Sequence, residues 1–164
     1  MVRALGEFSQ EYIPTVYDNY TLECIVDDKE VVYSLIDTAG QEGYDSFLLK
    51  SIVIADVLIL CFALNRKVSY DNVELKRFKL LQDHRLFTPI ILVGCKSDIR
   101  STVANAITYE QGQRMAKKVG AVQYLECSAK LNIGIDELFQ RIMEVGAGLG
   151  TKQKREKHKR CAIM

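Results

Sequence analysis

Short apolar runs alternate along this chain with segments whose apolar residues recur every three or four positions. Residues 21–26 and 31–36 flank Asp27-Asp28-Lys29-Glu30, a pattern that predicts two strands joined by a hairpin turn. Val57–Ala63 (VLILCFA) and residues 90–94 (IILVG) are apolar throughout, as strands covered on both faces are. Gln123–Cys127 (QYLEC) reads as a weaker fifth strand. Between them, 69–81, 109–119 and 134–144 have helical spacing, with Ile135, Leu138, Phe139 and Ile142 on one face. Strands alternating with helices predict an α/β layer fold with a mostly parallel sheet and right-handed crossovers.

In open α/β sheets, ligands bind outside the carboxyl ends of the strands, so the residues just past each strand are informative. After 31–36 comes Asp37-Thr38-Ala39-Gly40-Gln41-Glu42; after 90–94 comes Cys95-Lys96-Ser97-Asp98; after the fifth strand comes Ser128-Ala129-Lys130. Taken singly these are weak signals, because Asp-Thr-Ala-Gly most often just ends a strand and Lys-Ser-Asp is most often a solvated loop. Three polar clusters along one sheet edge are hard to obtain from core packing alone.

Composition narrows the class. At 164 residues and 48% apolar, the chain suits one globular domain and excludes a disordered, collagenous or disulfide-scaffold protein. The longest apolar stretch, 52–64, is 13 residues long, contains Asp56 and is too short to span a bilayer. No apolar leader opens the chain, and the five cysteines (24, 61, 95, 127 and 161) show no metal-ligand spacing, so a reducing, cytosolic setting is expected. Charge is uneven: of 22 Lys+Arg and 21 Asp+Glu, residues 151–160 hold six and one, leaving 16 against 20 for the body. An acidic globule therefore carries a basic arm. The two parts divide at 145: a domain over 1–145, then a flexible basic tail over 146–164. The glycine-rich run 146–152 follows a helix instead of a strand and reads as a helix stop and hinge.

The motifs resemble the Ras superfamily of small GTPases: Asp37–Glu42 as DTAGQE, Cys95 to Asp98 in the place of [N/T]KxD, and Ser128 to Lys130 as SAK. Tyr12-Ile13-Pro14-Thr15-Val16-Tyr17-Asp18-Asn19-Tyr20 is similar to the first switch of the Rho family, YVPTVFENY; Glu126-Cys127-Ser128-Ala129 and Gly43-Tyr44-Asp45 point the same way. The resemblance runs from about Phe8 to Met164 in the family's order. It implies a Ras-like P-loop NTPase fold, α/β and three-layer, and a guanine-nucleotide-dependent switch in membrane-associated signalling of the cytoskeleton and polarity type. By that resemblance Thr15 and Asp37 would hold Mg²⁺, the Gly40 amide would meet the γ-phosphate of GTP, and Gln41 would orient the attacking water. Asp98 would accept two hydrogen bonds from guanine, Lys96 would pack along the base, and Ser128, Ala129 and Lys130 would close the base pocket, with Tyr12 over the phosphates. Exchange factors, activating proteins and effectors of Rho type are the implied partners of a monomer.

The chain also departs from that family. No Gly-Lys dipeptide occurs in its 164 residues, so the phosphate-cradling GxxxxGK loop is not among them. Only seven residues precede Phe8, and the expectation is an N-terminally incomplete form without the first strand, P-loop and most of the first helix. Losing three phosphate donors would weaken binding by about 5–9 kcal/mol, or roughly three to six decades in affinity. GTP hydrolysis is therefore expected to be weak or lost. The absent strand would lie between 31–36 and Val57–Ala63, leaving two buried strand edges unpaired. Cys95 replaces a stronger hydrogen-bonding Asn or Thr, and only 101–107 stand where Rho proteins carry an extra helix.

The end of the chain carries its own signal. Cys161-Ala162-Ile163-Met164 fits C-a-a-X, with Met favouring farnesyl, and predicts a prenylated, methylated lipoprotein on the cytosolic face of the plasma membrane. One lipid chain anchors weakly; Lys152, Lys154, Arg155, Lys157, Lys159 and Arg160 would add about 1 kcal/mol each near an anionic leaflet. A nuclear-localisation or nucleic-acid patch is the lesser reading, since no aromatics interleave the charges. The alternative to a switch is a nucleotide-free, membrane-anchored protein that competes for Rho regulators or effectors.

Overall fold

The computed structural model describes residues 6, 8, 17–26, 29–38, 45–84, 86–148 and 159–163. Strands β1 (Tyr17–Val26) and β2 (Lys29–Thr38) form the expected hairpin, longer than the apolar runs alone predict because the ladder continues through polar residues to Tyr17↔Thr38. Helix α1 (Asp45–Ile54) then leads into β3 (Val57–Ala63). The predicted helix over 69–81 is a continuous rod with three parts: α2 (Lys67–Asn72), a π-helical stretch Val73–Phe78, and α3 (Lys79–Asp83). β4 (Ile90–Cys95), a 3₁₀ turn Ser97–Thr102, α4 (Tyr109–Lys118), β5 (Gln123–Cys127) and α5 (Ile135–Gly146) come next. A capping box starts α4: the Gln111 N–H donates to Thr108 Oγ1 at 3.2 Å and the Thr108 N–H to Gln111 Oε1 at 2.7 Å. Past α5, Gly148 takes a positive φ of 70°, the helix stop expected of this glycine-rich run.

The six strands lie in the order β1-β2-β6-β3-β4-β5, where β6 is Lys159–Ile163. All but β1 run parallel. The all-apolar sequence of β3 now has its reason. Leu58, Leu60 and Phe62 join Ile36, Ile90 and Leu92 under α1, the π-helical stretch and α4, through Leu48, Ile52, Val73 and Met115. Val57 and Ile59 join Tyr33, Leu35, Ile91 and Val93 under Ile135, Leu138, Phe139 and Ile142 of α5. Helices therefore cover both faces, and both faces exclude water.

One expectation fails. The edges of β2 and β3 are not left bare, because β6 enters between them and pairs with both. The segment comes from what the sequence pattern assigns to the tail. Its pairing is possible because a strand hydrogen-bonds through backbone alone, so no periodic apolar pattern is needed to qualify.

Candidate functional site

The parallel strands bring their carboxyl ends to one edge of the sheet, where Thr38 ends β2, Cys95 ends β4 and Cys127 ends β5. At β4 the chain turns sharply: Lys96 adopts a left-handed conformation (φ 65°, ψ 45°) and starts the 3₁₀ turn that carries Asp98. At β5, Ser128 is fully buried and its backbone exchanges both hydrogen bonds with Ile133, at 2.9 and 3.0 Å. Its hydroxyl donates to Asp98 Oδ1 at 2.6 Å and accepts the Leu131 N–H at 3.1 Å. The two loops are thereby locked together and the Asp98 carboxylate is aimed. Gly134 closes this loop at φ 69°, where an added Cβ would sit 2.7 Å from the Glu126 carbonyl oxygen.

A second link lies behind the first. Arg100 on the 3₁₀ turn pairs with Glu126 of β5 at 2.5 Å, and the Tyr124 hydroxyl donates to the same carboxylate oxygen at 2.6 Å. Burial, and then the hydrogen bond to Glu126, push the Tyr124 hydroxyl well above the usual tyrosine value. Glycines make room for its ring: a Cβ on Gly112 would meet it at 2.1 Å, and one on Gly94 would meet its hydroxyl at 2.6 Å. Residue spacing along the chain cannot reveal the Arg100–Glu126 pair, because the two residues are 26 positions apart.

Three cysteines converge just beneath this edge. Cys95 and Cys127 are paired across β4 and β5, and Cys61 lies on β3. For Cys95, contact with the Cys127 thiol pulls its pKa down, but contact with Cys61 and burial outweigh it and leave the thiol well above its usual value. Contact with Cys95, then burial, raises Cys127 strongly. All three are free thiols, and the raised Cys95 and Cys127 stay protonated at neutral pH, so Cys95 packs the loop's root as a small apolar residue.

Asp37 stands apart from this cluster. It lies opposite Asp18 in the β1–β2 ladder and beside Ile163 of β6. Three strand spacings separate β2 from β4, about 14 Å at roughly 4.8 Å each. A ligand that reached both Asp37 and Asp98 would therefore have to be elongated. Among the described residues no group of three or more His, Cys, Asp or Glu could hold a metal by itself. A single carboxylate such as that of Asp37 is compatible with Mg²⁺, which takes one or two protein oxygens and completes its shell with water and ligand phosphates.

Lys96, Ala129 and Lys130 occupy the loops around Asp98 and Ser128, with Lys96 and Lys130 exposed. Ala129 and Lys130 also line a cavity of about 380 Å³ together with Phe8, Asn132 and Asp136. Tyr12, Thr15, Gly40 and Gln41 lie outside the described residues, as do Lys152, Lys154, Arg155 and Lys157. Lys159, Arg160 and Cys161 fall in β6. No helix among the described residues is long and apolar enough to cross a membrane.

The Ras family model matches residues 3–146. The chain is 37% identical to the GTP-binding protein RHO1 of Candida albicans, over all of this chain and 87% of that protein. It is 37% identical to the GTP-binding protein rho5 of Schizosaccharomyces pombe, covering 88% of it, again over the whole chain. Identity to the Rho-related GTP-binding protein RhoF of Bos taurus is 33%, covering the whole chain and 81% of the relative.

Proposed function

This chain belongs to the Ras family, among the Rho-type small GTPases, and we propose that it is a guanine-nucleotide-responsive switch component whose base-binding half is intact and whose phosphate grip is weak. The observation that carries the reading is the 2.6 Å Ser128–Asp98 hydrogen bond, which aims a carboxylate from the carboxyl edge of the sheet. A fixed carboxylate accepts from the two adjacent N–H groups of guanine and finds no such pair on adenine. Lys96 flanks the base plane, and Ser128, Ala129 and Lys130 close the pocket. Asp37 and Thr15 would hold Mg²⁺, Tyr12 would cover the phosphates, the Gly40 amide would meet the γ-phosphate, and Gln41 would orient the attacking water. Bound Mg²⁺ neutralises phosphate charge. With no GxxxxGK among the 164 residues, few backbone donors remain for the phosphates.

Cys161 is the lipid site. Its sulfur attacks C1 of farnesyl diphosphate; a C–S bond forms, the C–O bond to diphosphate breaks, diphosphate leaves and the thiol proton passes to solvent. The basic residues 152–160 add attraction to an anionic leaflet on the cytosolic side. Rho-type exchange factors, activating proteins and effectors are its partners.

Titration of GDP and ADP in the presence of Mg²⁺ tests the switch reading. The chain should bind GDP in preference to ADP, at micromolar affinity or weaker, and Asp98→Ala should lower GDP affinity by about 10²–10⁴-fold through two lost charge-assisted hydrogen bonds. Submicromolar GDP binding would overturn the weak phosphate grip. Absence of any guanine preference would favour the second reading, a membrane-anchored protein that competes for Rho regulators without nucleotide; the missing GxxxxGK is what supports that alternative.

A further inference from the structure

The strand between β2 and β3 is built from the same residues that carry the lipid signal. Cys161 pairs with Leu35 on one side and Val57 on the other; Ala162 pairs with Ile36 and Leu58, and Ile163 with Asp37 and Ile59. Leu35, Ile36, Val57, Leu58 and Ile59 are at most 1% exposed, so this is the middle of the core and not an edge. α1 and α5 both contact β6. The twelve residues 147–158 between α5 and β6 can span about 40 Å when extended, ample for the same chain to round the sheet and enter it.

We infer that the gap between β2 and β3 is a strand-receiving slot whose occupant is the chain's own Lys159–Ile163, and that occupancy withholds Cys161 from lipid attachment. The segment is either the central strand of the sheet or the membrane anchor, never both at once. The reason is mechanical. A transferase must draw residues 161–164 into its own pocket to bring the sulfur to the prenyl donor, and that requires breaking the backbone hydrogen bonds the strand makes on both sides. Emptying the slot in turn exposes two long unpaired edges, which favours either refilling it or pairing with another strand. Sheet closure and membrane attachment thus draw on one segment; the second half of this inference rests on the lipid reading of Cys161.

The experiment uses the full chain and the free octapeptide of residues 157–164. Each is incubated with farnesyl diphosphate and a protein farnesyltransferase, while amide exchange of residues 160–163 is followed by mass spectrometry. The folded chain should be labelled at least ~10-fold more slowly than the peptide, and its amides should exchange at least ~100-fold more slowly than the peptide's. Arg160→Pro, which puts a proline into the segment paired with β2 and leaves residues 161–164 unchanged, should raise labelling of the chain to the peptide's rate. Equal labelling of chain and peptide, with unprotected amides, overturns the inference whether or not the proline variant folds. Protection that appears only as protein concentration rises also overturns it, since the occupant is then a second copy. A peptide that is not labelled at all defeats the lipid reading and the competition with it, an outcome kept distinct because amide protection is read separately.

Discussion

The two ends of the sheet's carboxyl edge are built in different ways. At the β4–β5 end, neighbouring strands feed adjacent loops, and the loops lock through Ser128–Asp98 at 2.6 Å and Arg100–Glu126 at 2.5 Å. Every part comes from within a stretch of about forty residues. At the β2 end, Asp37 lies beside Ile163, a residue more than a hundred positions later, and the sheet between β2 and β3 is completed only when that distant segment arrives. Local polar links hold the first end; backbone pairing with a remote strand holds the second. The first is therefore an intrinsic property of the domain, and the second is conditional on where the C-terminal segment is.

Large-to-small substitution at matched positions breaks this comparison most forcefully. Leu35 and Leu92 are both fully buried, one beside β6 and the other in β4. Either Leu→Ala change should cost about 2–5 kcal/mol in chemical denaturation. Only Leu35→Ala should speed amide exchange in 160–163 by more than its global cost predicts; equal local effects would show that β6 is held no differently from β4. Smaller is the cost of Ser128→Ala, which removes the donor to Asp98 and the acceptor of the Leu131 N–H. It should lose about 1–3 kcal/mol and loosen 129–133 in exchange experiments, with β6 unaffected.

The smallest effect is a pH dependence. The Cys127 thiol is raised by contact with Cys95 and by burial; contact with the Cys127 thiol pulls Cys95 down, but contact with Cys61 and burial outweigh it and leave Cys95 raised; and the Tyr124 hydroxyl is raised by burial and Glu126. Raised values mean that the folded state keeps protons the unfolded chain releases. The stability these groups contribute is fully present below about pH 8.5, the ordinary thiol value, and falls as pH climbs above it. The thermal midpoint should be flat from pH 6 to 8 and decline beyond, and Cys95→Ala with Cys127→Ala should flatten that decline.

Some of this architecture was legible in the chain and some was not, for identifiable reasons. Val57–Ala63 and Gln123–Cys127 form strands with the bounds their apolar runs predict, because burial and period-two alternation are local properties. The helix Asp45–Ile54 leaves no separate mark in the sequence: it abuts the apolar run of β3, and periodicity does not divide the two. The π-helical register of Val73–Phe78 also leaves no mark in spacing. At the site, Asp98 and Ser128 could be singled out as polar residues following strands, and the structure brings them into direct contact. Arg100–Glu126 and the Cys61, Cys95 and Cys127 group could not, since each depends on which strands become neighbours.

What the amino-acid order determined by itself is most of the elements, the mostly parallel sheet, and the polar clusters that follow its strands. Those arise from burial, periodicity and turn chemistry, all of which act over a few residues. The tertiary structure alone decided what lies between β2 and β3. A strand's backbone is chemically the same whatever its sequence, so the choice of Lys159–Ile163 arises from two open edges and a segment with enough chain behind it to reach them.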